Sequence, residues 1–116
     1  MMSECQKYME QYMPHIQDTI AQTTSDWREH SFAFNQQAVS PIVLGDCDDV
    51  DKPTIESELG TFHTHTIDRS KPSEEDYELF MSTKDKYMCY AKPVDEMWNV
   101  RCYDRELSVC GETEVK

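Results

Sequence analysis

Apolar side chains recur at steps of three and four residues near the start of the chain. This spacing puts them on one stripe of a helix and predicts a helix over residues 3 to 24. Pro14 lies inside that stretch, and because proline lacks a backbone N–H we expect it to kink or restart the helix. The stripe consists of Cys5, Tyr8, Met9, Tyr12, Met13, Ile16 and Ile20.

The stretch from Trp27 to Phe34 changes to an alternating pattern and is predicted to be a strand. Successive side chains of a strand point to opposite faces. One face would carry His30, Phe32 and Phe34, and the other would carry Glu29, Ser31 and Ala33.

Further apolar runs predict the remaining elements. Ile42 to Leu44 form a short strand ended by Gly45, and another strand runs from about Leu59 to His65. Pro72 and Ser73 open a helix that passes through Glu74, Tyr77, Phe80 and Met81. The remainder reads as two or three strands, with turns at Pro93 and at the polar pair Asp104 and Arg105.

The order of elements is therefore helix, three strands, helix, strands. The 116 residues contain no repeat and no linker, so we expect one α+β domain over residues 1–116. Asp and Glu outnumber Lys and Arg by 23 to 11, a net charge of −12. This charge argues against nucleic acid as a partner, because affinity for a phosphate backbone comes from basic side chains.

The cysteines and the N-terminus bear on the cellular compartment. Five cysteines are an odd number, and no Cys-x-x-Cys pair is present, so we expect reduced thiols and neither a disulfide framework nor a cysteine zinc site. The first residues include acids and no long apolar run. The sequence thus predicts a cytoplasmic protein that does not enter membranes.

The segment from Gly60 to Asp76 carries the candidate chemistry. On a strand, His63 and His65 project from the same side about 7 Å apart along the chain. Neutral imidazoles suit zinc, and a catalytic zinc site takes three protein ligands. Asp76, in the first turn of the next helix, is the candidate third ligand, and Ser73 could donate a hydrogen bond to a developing oxyanion.

Each of these residues also has a structural explanation. Ser73 and Asp76 form a pattern close to a capping box. Acidic side chains at the start of a helix also interact favourably with the helix dipole. Histidines at alternate strand positions could line a half-exposed face. The joint spacing of all four residues would arise by chance on the order of once per thousand such chains, which favours a site.

This pattern resembles the JAMM motif of the MPN-domain metalloproteases, in which His-x-His, seven residues and Ser-x-x-Asp stand as at His63, His65, Ser73 and Asp76. The flanking GTFHTH and KPSEED are similar too, although Thr66 stands where the family commonly has Pro. The resemblance implies a curved, mostly antiparallel mixed sheet flanked by helices, with cytidine-deaminase-like layering. It also implies Zn²⁺ on the two histidines and the aspartate.

The family uses a further glutamate on an earlier strand to hold the attacking water and move its proton. Glu29, Glu56 and Glu58 stand upstream of the histidines. Alternation puts positions 56 and 58 on the face opposite the histidines, if the strand extends that far. Glu29 has small neighbours on its own face and is our choice.

The leading hypothesis is a zinc-dependent peptidase or isopeptidase. Its substrate would be the C-terminal tail of a ubiquitin-like modifier or sulfur-carrier protein, or else a small peptide. The alternative is a non-catalytic MPN-type scaffold that binds a protein partner. The sequence does not indicate an oligomeric state.

Overall fold

The computed structural model describes residues 3–44, 53–66 and 74–116, the first three residues of the last range as backbone only. The helices are α1 (Glu4–Gln11), α2 (Met13–Asp26) and α3 (Glu74–Ser82). The strands are β1 (His30–Phe34), β2 (Val43–Leu44), β3 (Gly60–Thr64), β4 (Tyr87–Val94), β5 (Met97–Tyr103) and β6 (Val109–Val115).

The predicted N-terminal helix is present as two helices. Ser3 caps α1, its Oγ accepting a hydrogen bond from the backbone N–H of Gln6 at 3.1 Å. The chain bends at Tyr12, and Pro14 lies in the first turn of α2. A proline there loses no hydrogen bond, because first-turn N–H groups have no partner inside a helix. The prediction that Pro14 restarts the helix is confirmed.

Six strands of the described residues form one open, mixed sheet in the order β2-β1-β3-β4-β5-β6. Only β3 and β4 pair in parallel among them, and the other four pairings are antiparallel. A parallel pair needs a crossover connection, and α3 lies in the chain between these two strands. The α+β class and the mostly antiparallel mixed sheet are as predicted.

The sheet separates two apolar clusters. On one face, the helical residues Cys5, Met9, Ile16 and Ile20 pack with strand residues that include Phe32, Phe34 and Phe62. On the other face, Phe80 of α3 packs with Met88, Tyr90 and Tyr103. Successive residues of β4 belong to different clusters, because successive side chains of a strand point to opposite faces of the sheet.

One predicted turn is misplaced. Pro93 lies inside β4, opposite Trp98 of β5, and the chain reverses after Val94, where Asp95 has a φ of 55°. Proline is tolerated at this point because the pairing of β4 with β3 ends at Ala91. The missing N–H of Pro93 therefore removes no bond of that ladder.

The expectation of reduced thiols and no disulfide framework is wrong for four cysteines. Cys5 of α1 is bonded to Cys110 of β6, and Cys89 is bonded to Cys102, its direct partner across β4 and β5. Sequence spacing could not reveal these pairs, because the fold brings together residues as far as 105 positions apart. Cys47 lies outside the described residues.

This correction removes one argument for a cytoplasmic location. Disulfides persist mainly in oxidising compartments. Across the described ranges, none of the helices is long and apolar enough to cross a membrane. The cytoplasmic location itself remains a prediction.

The long disulfide should make a large contribution to stability. We expect the double variant Cys5→Ala, Cys110→Ala to lose about 3–5 kcal/mol of unfolding free energy, because the bond restricts an unfolded chain over 105 residues. Urea unfolding with and without a thiol reductant checks this. The difference between wild type and variant should vanish under reducing conditions. Equal stability without reductant would contradict it.

Candidate active site

The two histidines of the motif lie at the C-terminal end of β3, and their side chains converge. The Nε2 atoms of His63 and His65 are 3.2 Å apart. The backbone N–H of His65 donates to the carbonyl oxygen of Ala91 at 2.8 Å, which holds the residue beside β4 just beyond the end of β3.

This separation fits a shared metal ion. A tetrahedral zinc ion roughly 2.0–2.1 Å from each nitrogen holds two ligand nitrogens about 3.3 Å apart. The observed 3.2 Å between the Nε2 atoms of His63 and His65 is close to that value. The same distance is that of a hydrogen bond between the two rings, so the spacing is compatible with zinc but does not require it.

Tyr90 of β4 packs against both imidazoles. Its ring centroid lies 6.2 Å from that of His63 and 5.3 Å from that of His65. Burial, followed by a hydrogen bond with Tyr103, raises the pKa of Tyr90 far above its usual value. Tyr90 is therefore a neutral phenol near neutral pH and supports the histidine rings without adding charge.

Glu29, the residue just before β1, lies against the second histidine. Its Oε1 is 3.5 Å from Nδ1 of His65, and the two side chains are 13% and 8% exposed. A carboxylate beside Nδ1 favours a proton on that nitrogen, so that the lone pair of the imidazole lies on Nε2, the atom that faces His63. Glu29 is therefore placed to orient His65.

The other glutamates considered from the sequence lie elsewhere. Glu56 and Glu58 precede the N-terminal end of β3, whereas the histidines lie at its C-terminal end. Glu56 lines a separate surface cleft together with Asn35 and Leu59. Of the three candidates, the structure brings Glu29 to the histidines.

The other two motif residues, Ser73 and Asp76, lie wholly or partly outside the described part of the structure. Asp76 lies in the first turn of α3, but its side chain lies outside the described part of the structure, as does the whole of Ser73. Among the described side chains, no three His, Cys, Asp or Glu are grouped to hold a metal ion. The roles of Asp76 and Ser73 therefore stay predictions.

His30 faces away from the site, as the alternation of β1 predicted. Its Nε2 lies 3.0 Å from both carboxylate oxygens of Asp26, the last residue of α2. The hydrogen bond with His30 is the main cause that lowers the pKa of Asp26. His30 therefore links the sheet to α2 and is not placed with the zinc-ligand candidates.

A cavity of about 80 Å³ adjoins His63, and we name it the α3 pocket. Its lining includes Glu29 just before β1, Ser31 of β1 and His63 of β3, together with Leu79 and Phe80 of α3 and Met88 of β4. Small residues beside Glu29 predicted room on this face. The apolar wall was missed, because the sequence pattern does not reveal where α3 packs.

Comparison of the chain with protein-family models, with curated proteins and with solved structures finds no match.

Zinc titration tests the histidine pair. We expect the wild-type protein to bind one equivalent of zinc and either His63→Ala or His65→Ala to weaken binding at least a hundredfold, because each variant removes one ligand. Calorimetry with a competing chelator measures this. His15→Gln is the matched control, since the Nε2 of His15 instead lies 3.1 Å from the carbonyl oxygen of Ser40. Equal affinity in all four proteins would contradict the assignment.

Proposed function

We propose that this protein is a zinc-dependent peptidase or isopeptidase of the JAMM type. The observation that carries the proposal is the convergence of His63 and His65 with Glu29 against His65. Two imidazole nitrogens and a nearby carboxylate supply two of the three metal ligands and the proton acceptor that metal-assisted hydrolysis of an amide uses. The spacing of His63, His65, Ser73 and Asp76 in the sequence supports the same reading.

The proposal extends to the arrangement of the fold. In an MPN domain with deaminase-like layering, a curved sheet has helices on both sides. The two apolar clusters, one under α1 and α2 and one under α3, support that arrangement here.

Each residue has a distinct task in the proposed reaction. His63, His65 and Asp76 would hold Zn²⁺, which when bound polarises a scissile carbonyl and makes a water molecule more acidic. Glu29 would accept a proton from the attacking water and return it to the leaving amine. Ser73 would donate a hydrogen bond to the oxyanion.

The position of Glu29 suits a second task. Its Oε1 lies 3.5 Å from Nδ1 of His65, and in the proposed resting state it would accept a hydrogen bond from that nitrogen and fix the orientation of the ring. Both tasks use the same carboxylate, but a Glu29→Gln variant would keep the orienting task and lose the proton transfer. A glutamine oxygen can still accept a hydrogen bond, whereas it cannot take up a proton at neutral pH.

The substrate is proposed to be a peptide tail. The tail of a ubiquitin-like modifier or sulfur-carrier protein, or a short peptide, would present an extended amide to the histidines. The net charge of −12 supports a protein or peptide partner and disfavours nucleic acid.

Glu29→Gln separates the two tasks of this residue. We expect it to lower kcat by about 10²–10⁴-fold, because the proton acceptor is lost, while zinc affinity stays within a few-fold of wild type. A ubiquitin-like modifier fused at its C-terminus to a fluorescent reporter serves as the substrate. Glu56→Gln is the matched control and should behave as wild type.

Other outcomes would redirect the assignment. A fall of 10–100-fold in zinc affinity, with normal turnover at saturating zinc, would make Glu29 an orienting residue only. No turnover and no zinc uptake in the wild-type protein would instead favour a non-catalytic scaffold.

A further inference from the structure

Ser31 carries a buried hydroxyl group on the face of the sheet that holds the site. The residue is 2% exposed and pairs directly with His63 between β1 and β3. Within the described part of the chain, its Oγ has no hydrogen-bond partner. A buried hydroxyl without a partner is unfavourable for folding, so its presence in the lining of the α3 pocket calls for a ligand.

The size of the α3 pocket limits what that ligand can be. A single water needs roughly 10–15 Å³, whereas a cavity that holds benzene measures about 150 Å³. At about 80 Å³, the pocket lies between these values. It has room for a small side chain and is smaller than the cavity that holds benzene.

The walls of the pocket define the chemistry of the ligand. Phe80 and Met88 are buried and form an apolar wall, with the half-exposed Leu79 at its edge. Ser31 lies on β1, and Thr61, Thr83 and Asp85 add further polar groups to the lining. A matching group therefore has one polar atom directed toward Ser31 and an apolar remainder directed toward α3 and β4.

We propose that the α3 pocket is a specificity subsite for a small side chain bearing a hydroxyl group, best fitted by threonine. A threonine hydroxyl both donates and accepts, so it can pair with the Oγ of Ser31 in either sense. Its methyl group would contact Met88. The identification of the ligand as part of a peptide substrate depends on the proposed peptidase function, since the pocket borders His63 and Glu29.

Stability measurements test the state of the Ser31 hydroxyl. We expect Ser31→Ala to match or raise the Tm of the protein, because the variant removes a buried polar group that lacks a partner. Ser40→Ala is the matched control and should lower the Tm, since the Oγ of Ser40 accepts from the backbone N–H of Ala33 at 2.8 Å. A comparable fall in both variants would overturn the proposal, because ordered water would then already satisfy Ser31.

Binding tests the subsite without any metal. N-acetyl-threonine methylamide and the valine and phenylalanine analogues are titrated into the metal-free protein and followed by NMR. We expect threonine to bind about tenfold more tightly than the isosteric valine, because of the added hydrogen bond, and phenylalanine to bind more weakly than threonine, with shifts at Ser31 and Met88. Ser31→Ala should abolish the preference. Equal binding of all three compounds would overturn the subsite.

Cleavage assays separate the subsite from the peptidase function. Zinc-loaded protein is given peptides that differ only at the residues flanking the scissile bond, one position at a time. A threonine-to-valine ratio of kcat/KM near ten to a hundred at one position, lost in Ser31→Ala, supports the subsite. Cleavage without preference overturns it. If no peptide is cleaved but threonine binds preferentially, the peptidase function fails and the pocket assignment stands.

Discussion

The candidate site depends on how β3 is paired on both sides. β1 pairs with it in antiparallel fashion and β4 in parallel fashion, so that Ser31, His63 and Tyr90 lie in one row across the sheet. Residues in such a row project from the same face, because strands in register alternate together. In this row the hydroxyl of Ser31 lies on one side of His63, and the ring of Tyr90 lies on the other side. The hydrogen bond from His65 to Ala91 continues the arrangement by one residue beyond the strand.

The two faces of the sheet differ: one is covered by an apolar core, and the other carries the candidate site. The face under α1 and α2 is closed by aliphatic and aromatic side chains, and the disulfide from Cys5 to Cys110 fastens α1 to the edge strand β6. The other face carries the histidines, Glu29 and the α3 pocket beside the smaller cluster. A closed face that supplies stability allows the opposite face to keep polar groups and open space near the site.

Local patterns in the sequence were sufficient for part of this arrangement. The two-residue period of β1 predicted that Glu29 and Ser31 would face away from His30, and the structure has them so. The spacing of His63 and His65 predicted neighbours on one side of a strand, which the 3.2 Å separation confirms. The misplaced turn at Pro93 shows the limit of local rules, because the tolerance for proline depends on where β3 stops pairing. The disulfides and the α3 wall of the pocket depend on contacts between distant segments, which no local pattern reports.

The most direct test of the central claim is a crystal structure of the zinc-loaded protein, with the metal located by anomalous scattering at the zinc absorption edge. We expect one zinc ion roughly 2.0–2.1 Å from the Nε2 atoms of His63 and His65, with a carboxylate oxygen of Asp76 as a further ligand. Glu29 should lie near the metal without coordinating it. Zinc bound elsewhere, or His63 and His65 hydrogen bonded to each other while zinc is present in excess, would contradict the account.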